Sequence, residues 1–163
     1  MILLSIDPGI EKLGYALFDK DKKYPNNFKF LSSGLIKTNK TLHKEERLVI
    51  IFEKLSFLIK KYHPKKIIFE EIFFFKNQKT IIPVTQAQGV ILLLAGLKKI
   101  PLVYFSPLKI KHVITGYGIA DKKAVKKMVN LTLKLPEKAR DDDEYDAIAC
   151  GLAYCFQNPK LLE

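Results

Sequence analysis

Cysteine is scarce in this chain of 163 residues: there are two, Cys150 and Cys155. They stand five apart in a stretch of helical character, on different faces, so they cannot bridge each other there. No C-x-x-C spacing occurs, which argues against a structural zinc site and for a reducing compartment. Long apolar runs are missing too. The longest, Gly89 to Leu97, is too short to cross a bilayer. The opening run MILLSI has no basic segment before it and ends at once on Asp7, so it does not read as a secretory signal. Repeats, low-complexity tracts and linkers are also lacking. The expectation is one domain over residues 1–163, with room for a full core, placed in the cytoplasm and away from membranes.

Acid is in deficit. Asp and Glu total 17 against 28 Lys and Arg, a net charge of +11. With 48% apolar residues and 11% aromatics the chain is globular, not disordered. Arginine is rare among the basic residues, which are Lys except at Arg47 and Arg140. A Lys-heavy composition can simply keep a protein soluble. A pI near 9.5 nonetheless points to a polyanion partner, nucleic acid first and an anionic membrane second.

The first third of the chain reads as strands. MILLSI is a continuous apolar run, as in a strand buried on both faces. PGIEKLG is a turn, YALFD a second strand, DKDKKYPNN a hairpin loop and FKFLSSGLIKT a third strand. Their close spacing predicts antiparallel neighbours. Leu48, Ile51, Phe52, Leu55, Leu58 and Ile59 then recur at helical spacing, ended by His63-Pro64. KKIIFE is a short strand that stops on Glu70. Ile81 to Lys98 is predicted as a helix with Pro83 in its first turn and a deeply buried, almost wholly apolar second half. PLVYF is a fifth strand, and SPLKIKHVITGYG one turn of helix and a glycine-flanked loop. Asp121 is placed to cap a helix over Lys122 to Leu135, and DEYDAIACGLAYCF is the last helix. Strands first, then alternating elements, give an α/β fold with a mixed sheet of about five strands.

Two apolar strands end on acids, Asp7 and Glu70. In an open α/β sheet, sites form at the carboxyl ends of the strands. Two carboxylates at one edge repel each other unless a proton is shared or a cation lies between them. The run RDDDEYD adds Asp141, Asp142, Asp143, Glu144 and Asp146. Acids at a helix N-terminus are favoured by its unpaired amides, which accounts for the first four. Asp146 is less well explained, because it interrupts the start of an apolar face. Asp143 and Asp146 are three apart and share one side of the helix; Asp142 and Asp146, four apart, do nearly as well. All these ligands are oxygen, with no His or Cys placed nearby. Such a set suits Mg²⁺ or Mn²⁺ rather than Zn²⁺. Two such ions, about 4 Å apart, stabilise the attacking and leaving oxygens of an in-line phosphoryl displacement. A basic chain with carboxylate-held metal reads as a nuclease.

IDPGIEKLGYAL, IIFEEIFFFKN, VTQAQGVILLLAG, IKHVITGYGIADKKAV and DEYDAIACGLAYC occur in that order along the chain. Together they resemble the RuvC-type Holliday-junction resolvases over almost the whole length. The resemblance implies an RNase H-like fold, a five-stranded mixed sheet flanked by helices. It implies a homodimer that places two symmetric nicks across a four-way DNA junction, using two Mg²⁺ ions per subunit with Mn²⁺ as a substitute. A branch-migration helicase complex of RuvA and RuvB type is the implied partner. The four catalytic, metal-holding acids map onto Asp7, Glu70, Asp143 and Asp146. Glu71 is the rival to Glu70, but strand neighbours face opposite ways and the motif favours Glu70. Asp142 replaces Asp143 if the register slips by one. Phe73 matches an aromatic that enters the junction and stacks on a base, while any of Phe73, Phe74 and Phe75 can instead pack against a partner subunit. Lys76 lies in the same element, and Lys111 and Lys122 match two lysines near the scissile phosphate. Lys122 also opens a helix, where a phosphate is welcome. Gly116 and Gly118 either let backbone approach phosphate or simply make a turn. The chain ends soon after its last helix, without the longer basic tail of many relatives, which is expected to alter helicase contacts rather than chemistry.

Three rival readings are weaker. An RNase H-like ribosomal RNA-processing nuclease of YqgF type shares the opening and the late acidic helix, but lacks the E-x-x-F-x-x-K-N element present here as Glu70 to Asn77. An actin-like or sugar-kinase ATPase needs two such domains to enclose nucleotide. A non-catalytic junction-binding module has no reason to keep repelling carboxylates facing an anionic ligand.

Overall fold

The computed structural model describes residues 1–21, 23–24, 27–71, 78–136 and 140–157, with backbone only for 78–81. Five strands form one sheet: β1 (Ile2–Asp7), β2 (Lys12–Lys20), β3 (Phe28–Lys37), β4 (Lys66–Glu70) and β5 (Leu102–Phe105). Their order across the sheet is β3-β2-β1-β4-β5. The first three are antiparallel neighbours, as their spacing predicts, and β4 and β5 add in parallel. Five helices complete the described residues: α1 (Lys44–Tyr62), α2 (Gln78–Lys98), α3 (Pro107–Thr115), α4 (Lys122–Leu133) and α5 (Asp142–Phe156). The mixed five-stranded α/β sheet expected from sequence is therefore present.

Strand periodicity divides the core into two layers. Leu3, Ala16, Phe18, Ile68 and Phe105 face α3, α4 and α5. Leu4, Ile6, Leu17, Ile67 and Phe69 face α1 and α2. With a period of two, Asp7 follows Leu3 and Ser5, and Glu70 follows Ile68. Both acids therefore emerge on the α5 side of the sheet, at the carboxyl ends of adjacent parallel strands.

Helix α5 lies unusually close to the β1–β2 hairpin because two glycines permit it. A Cβ at Gly14 would fall 1.9 Å from the Asp143 carbonyl oxygen. A Cβ at Gly151 would fall 2.4 Å from the Phe18 ring and 2.5 Å from Ser5 Oγ. Ser5 Oγ then donates to the Ala147 carbonyl at 2.7 Å, a buried bond that fixes the helix on β1. The buried Lys20 ammonium closes the other end of α5, donating to the carbonyls of Tyr154, Cys155 and Gln157. A helix C-terminus leaves carbonyls unpaired, and this lysine satisfies them. Cys150 and Cys155 are both buried and free.

Three expectations need correction. Helix α2 begins at Gln78, so Pro83 sits inside it, beyond the first turn, and removes one backbone hydrogen bond there. The second half of α2 is not deeply buried. Ala87, Ile91, Leu94 and Ala95 form its buried stripe, while Leu93 and Leu97 are 56% and 63% exposed. A helix apolar all round carries more apolar surface than one sheet face covers. The stretch after β5 is also more than one helical turn. Ser106 accepts from Lys109 N, Pro107 opens α3, and the helix runs nine residues to a left-handed cap at Gly116.

Candidate active site

Asp7, Glu70 and Asp146 line one cleft of ≈ 530 Å³ together with Lys111 and Lys122. Each comes from a different element: β1, β4, α5, α3 and the first residue of α4. Glu71 borders the same cleft but lies outside β4, exposed. Asp143, one turn before Asp146 on α5, faces an adjoining cleft. The two clefts share Pro8 and Val84, so the four acids straddle the turn that follows β1.

The carboxylates strain against one another. Burial and then the charges of Asp146, Asp143 and Glu70 push the Asp7 carboxyl up to about 8, with Lys122 acting the other way. Burial and Asp146 push Glu70 up to about 7, against Lys122 and Lys111. Burial and a hydrogen bond with Asp141 raise Asp143. Lys122 Nζ lies 2.9 Å from Asp146 and 4.0 Å from Asp142. The positive charge at the site is thus supplied by the two lysines singled out in the sequence, and it does not bring the two acids back to their ordinary range.

Asp142 and Asp143 diverge. Asp142 is 58% exposed, pairs with Lys126 at 2.5 Å, and is held below the usual carboxylate range by that lysine. Asp143, by contrast, is among the charges that raise Asp7. The physical reason is the helix start. With Asp141 at the N-cap, Asp143 and Asp146 turn toward β1 while Asp142 turns toward α4.

Sequence reasoning missed the groups that hold this acidic helix end. Asp141 holds the N-cap position of α5, but its side chain makes no capping hydrogen bond; its carboxylate takes the Lys12 ammonium at 2.7 Å. Glu144 is buried, accepts from Ser33 Oγ at 2.6 Å, and lies 3.6 Å from Arg140 Nε. Reading the DDDE run as helix-dipole acids concealed both roles. The signal available was Glu144 itself, an acid at the i+4 position from Arg140. Phe73 and Lys76 lie outside the described residues.

The donor set fits a hard divalent cation. It is wholly carboxylate oxygen, and the raised Asp7 and Glu70 mark a deficit of positive charge. Among the described residues no three His, Cys, Asp or Glu side chains stand together at metal-ligand spacing. Lys122, paired with Asp146 at 2.9 Å, supplies positive charge to Asp7 and Glu70 as well.

The chain is similar to known proteins over most of its length. The family model "Crossover junction endodeoxyribonuclease RuvC" matches residues 3–155. The RuvC of Fusobacterium nucleatum is 42% identical over 154 residues, covering 94% of this chain and 80% of that protein. The RuvC of Thermosipho melanesiensis is 42% identical over 156 residues, covering 96% of each. Among solved structures, T. thermophilus RuvC in complex with a Holliday junction substrate superposes with a TM-score of 0.86 at 28% identity. That match covers 96% of this chain and 93% of the other.

Proposed function

We propose, from the premise that the chain belongs to the RuvC family of crossover junction endodeoxyribonucleases, a reading of which residues do its work. The chain is a metal-dependent endonuclease that resolves four-way DNA junctions. The observation that carries the residue assignment is the convergence of Asp7, Glu70 and Asp146 on one cleft, with Asp143 in the adjoining one and Asp142 paired instead with Lys126.

Asp7, Glu70, Asp143 and Asp146 would be the catalytic acids and would hold two Mg²⁺ ions, with Mn²⁺ able to substitute. When bound, divalent metal supplies the charge that stabilises the attacking and leaving oxygens of an in-line phosphodiester displacement. The chain's own residues do the rest. β1 and β4 fix Asp7 and Glu70 side by side, and α5 carries the other two across from them. Lys122 releases its hold on Asp146 and turns to a non-bridging phosphate oxygen beside the scissile bond; Lys111 serves the same phosphate from α3. Phe73 and Lys76 contact the junction close after Glu70, on the strength of the family resemblance alone.

The working unit is a homodimer of single RNase H-like nuclease domains in the cytoplasm, served by a RuvA- and RuvB-type helicase. The exposed Leu93 and Leu97 on α2 support the dimer, because an apolar stripe of that kind is the usual mark of an interface. No helix among the described residues is long and apolar enough to cross a membrane. The test is a nicking assay on a synthetic four-way DNA junction beside a structured RNA, with Mg²⁺ and with chelator. Paired symmetric nicks in the junction alone, abolished by chelator, are expected. Cleavage of the RNA in preference would overturn the reading in favour of an RNA-processing nuclease of the same fold.

A further inference from the structure

The cleft on the Asp143 side of the catalytic acids has no role in the account so far. It encloses ≈ 690 Å³, and its lining includes Lys12, Lys40, Arg47, Pro8, Val84 and Asp143. It shares Pro8 and Val84 with the catalytic cleft, so the two form one trough crossed by the acids. Lys111 and Lys122 stand on one side of that crossing, and Lys12, Lys40 and Arg47 on the other.

The three cations differ in how they are held. Lys12 pairs with Asp141 at 2.7 Å, and Lys40 pairs with Glu11 at 2.9 Å while remaining 72% exposed. Arg47 is half-buried in the first turns of α1 and is tethered through a polar side chain instead of a carboxylate. Its Nε donates to Thr38 Oγ1 at 2.8 Å, and the buried Thr38 hydroxyl donates to the Ile10 carbonyl at 2.5 Å. The guanidinium is therefore fixed against the very loop that follows Asp7. With Nε engaged, its two terminal nitrogens are the part of the fork that suits a phosphate.

We propose that Arg47, with Lys40 and Lys12, forms a second phosphate subsite, which holds the cleaved DNA strand on the Asp143 side of the scissile bond. The inference rests on the endonuclease reading, since it takes the polyanion to be DNA. A strand seated over the acids must leave the catalytic cleft, and this trough is the continuation that offers fixed positive charge. Neighbouring phosphates gripped on both sides keep the scissile one in line for displacement. Lys12 also buttresses Asp141, so Arg47 and Lys40 are the residues that report on the subsite alone.

The experiment measures equilibrium binding of a four-way junction and of plain duplex DNA over a range of salt concentrations. It is done in the Asp7→Asn background, so that no cutting intervenes. Arg47→Gln keeps a polar group near Thr38 and removes the charge. It is expected to weaken binding to both DNAs about tenfold and to reduce the slope of log affinity against log salt by about 0.9. Lys40→Ala, on an exposed side chain, is expected to lower the slope in the same sense, and Arg47→Lys to restore part of it. In the cutting enzyme, KM should rise more than kcat falls. Unchanged salt slopes in Arg47→Gln and Lys40→Ala would overturn the subsite, even if Arg47→Gln lost stability or rate, because a merely structural role moves those and not the slope. Equal affinity for junction and duplex in Asp7→Asn without further change would instead count against junction selectivity, while the slopes still decided the subsite.

Discussion

At the scale of the residue, Asp7 concentrates the tension in the site. Its carboxyl has an ordinary value of 3.8 and is pushed up to about 8 in the fold, and Glu70 moves from 4.5 to about 7. A carboxyl that ionises only at higher pH in the folded chain takes up a proton on folding across the interval between the two values. Stability from these groups is therefore greatest below about pH 4 and is lost as the pH rises toward about 8. Thermal melts in chelator should show Tm falling over that interval, less steeply in Asp7→Asn, with Mg²⁺ restoring more at pH 8 than at pH 5. A slope identical in Asp7→Asn would contradict the assignment of the tension to Asp7. The neighbouring aspartates give a second test at this scale. Asp143→Asn should cut junction cleavage at least about a hundredfold, the loss of about 3 kcal/mol of transition-state stabilisation or more. Asp142→Asn, which removes an exposed partner of Lys126, should leave cleavage close to that of the unaltered chain. Comparable losses in both would mean that the helix face has been assigned wrongly. From sequence, Asp142 and Asp143 were both open choices, because the difference depends on whether the helix is capped at Asp141 or one residue later.

At the scale of the element, α5 is the part whose placement decides the geometry, and it was only half legible. Its apolar stripe and acidic start could be read from residue spacing. Its close seat on the hairpin could not, because Gly14 meets Asp143 while Gly151 meets Phe18 and Ser5, each pairing more than a hundred residues apart in sequence. In the strand pattern Gly14 reads simply as part of a turn. Gly151→Ala should destabilise the fold by about 1–3 kcal/mol through overpacking against Phe18 and Ser5. Gly14→Ala meets backbone at Asp143, which cannot rotate aside, so α5 must shift as a whole and carry Asp143 away from Asp7. Denaturant unfolding and cleavage measured together should show Gly14→Ala losing activity out of proportion to its stability. A variant with full activity would contradict the view that this close approach sets the acids. The strands were more legible than the helices. Continuous apolar runs that stop on Asp7 and Glu70 carry their own boundaries, whereas the start of α2 and the depth of its burial depend on what covers it.

At the scale of the whole molecule, the net charge of +11 and the acidic site act in opposite directions. The positive surface gathers DNA, and the carboxylates repel the phosphate that must approach them. Binding should therefore be steeply salt-dependent, losing about a thousandfold or more between 50 and 200 mM salt if six or more phosphates are neutralised. The α2 stripe makes its own prediction at this scale. If the proposed homodimer forms through it, Leu93→Asp with Leu97→Asp should convert dimer to monomer in sedimentation while leaving the fold intact, since both side chains are already exposed. An unaltered sedimentation profile would place the subunit contact elsewhere. The overall class of the molecule was legible because chain length, charge and five motifs in order agree. The second trough was not, because Lys12, Lys40 and Arg47 are separated in sequence and resemble ordinary surface charges there. The most direct measurement is cleavage and binding of one synthetic four-way junction by the unmodified chain and by Asp7→Asn, in Mg²⁺. The account predicts that Asp7→Asn loses metal-dependent cleavage while binding the junction as tightly or more tightly. Cleavage that survives the substitution would contradict it.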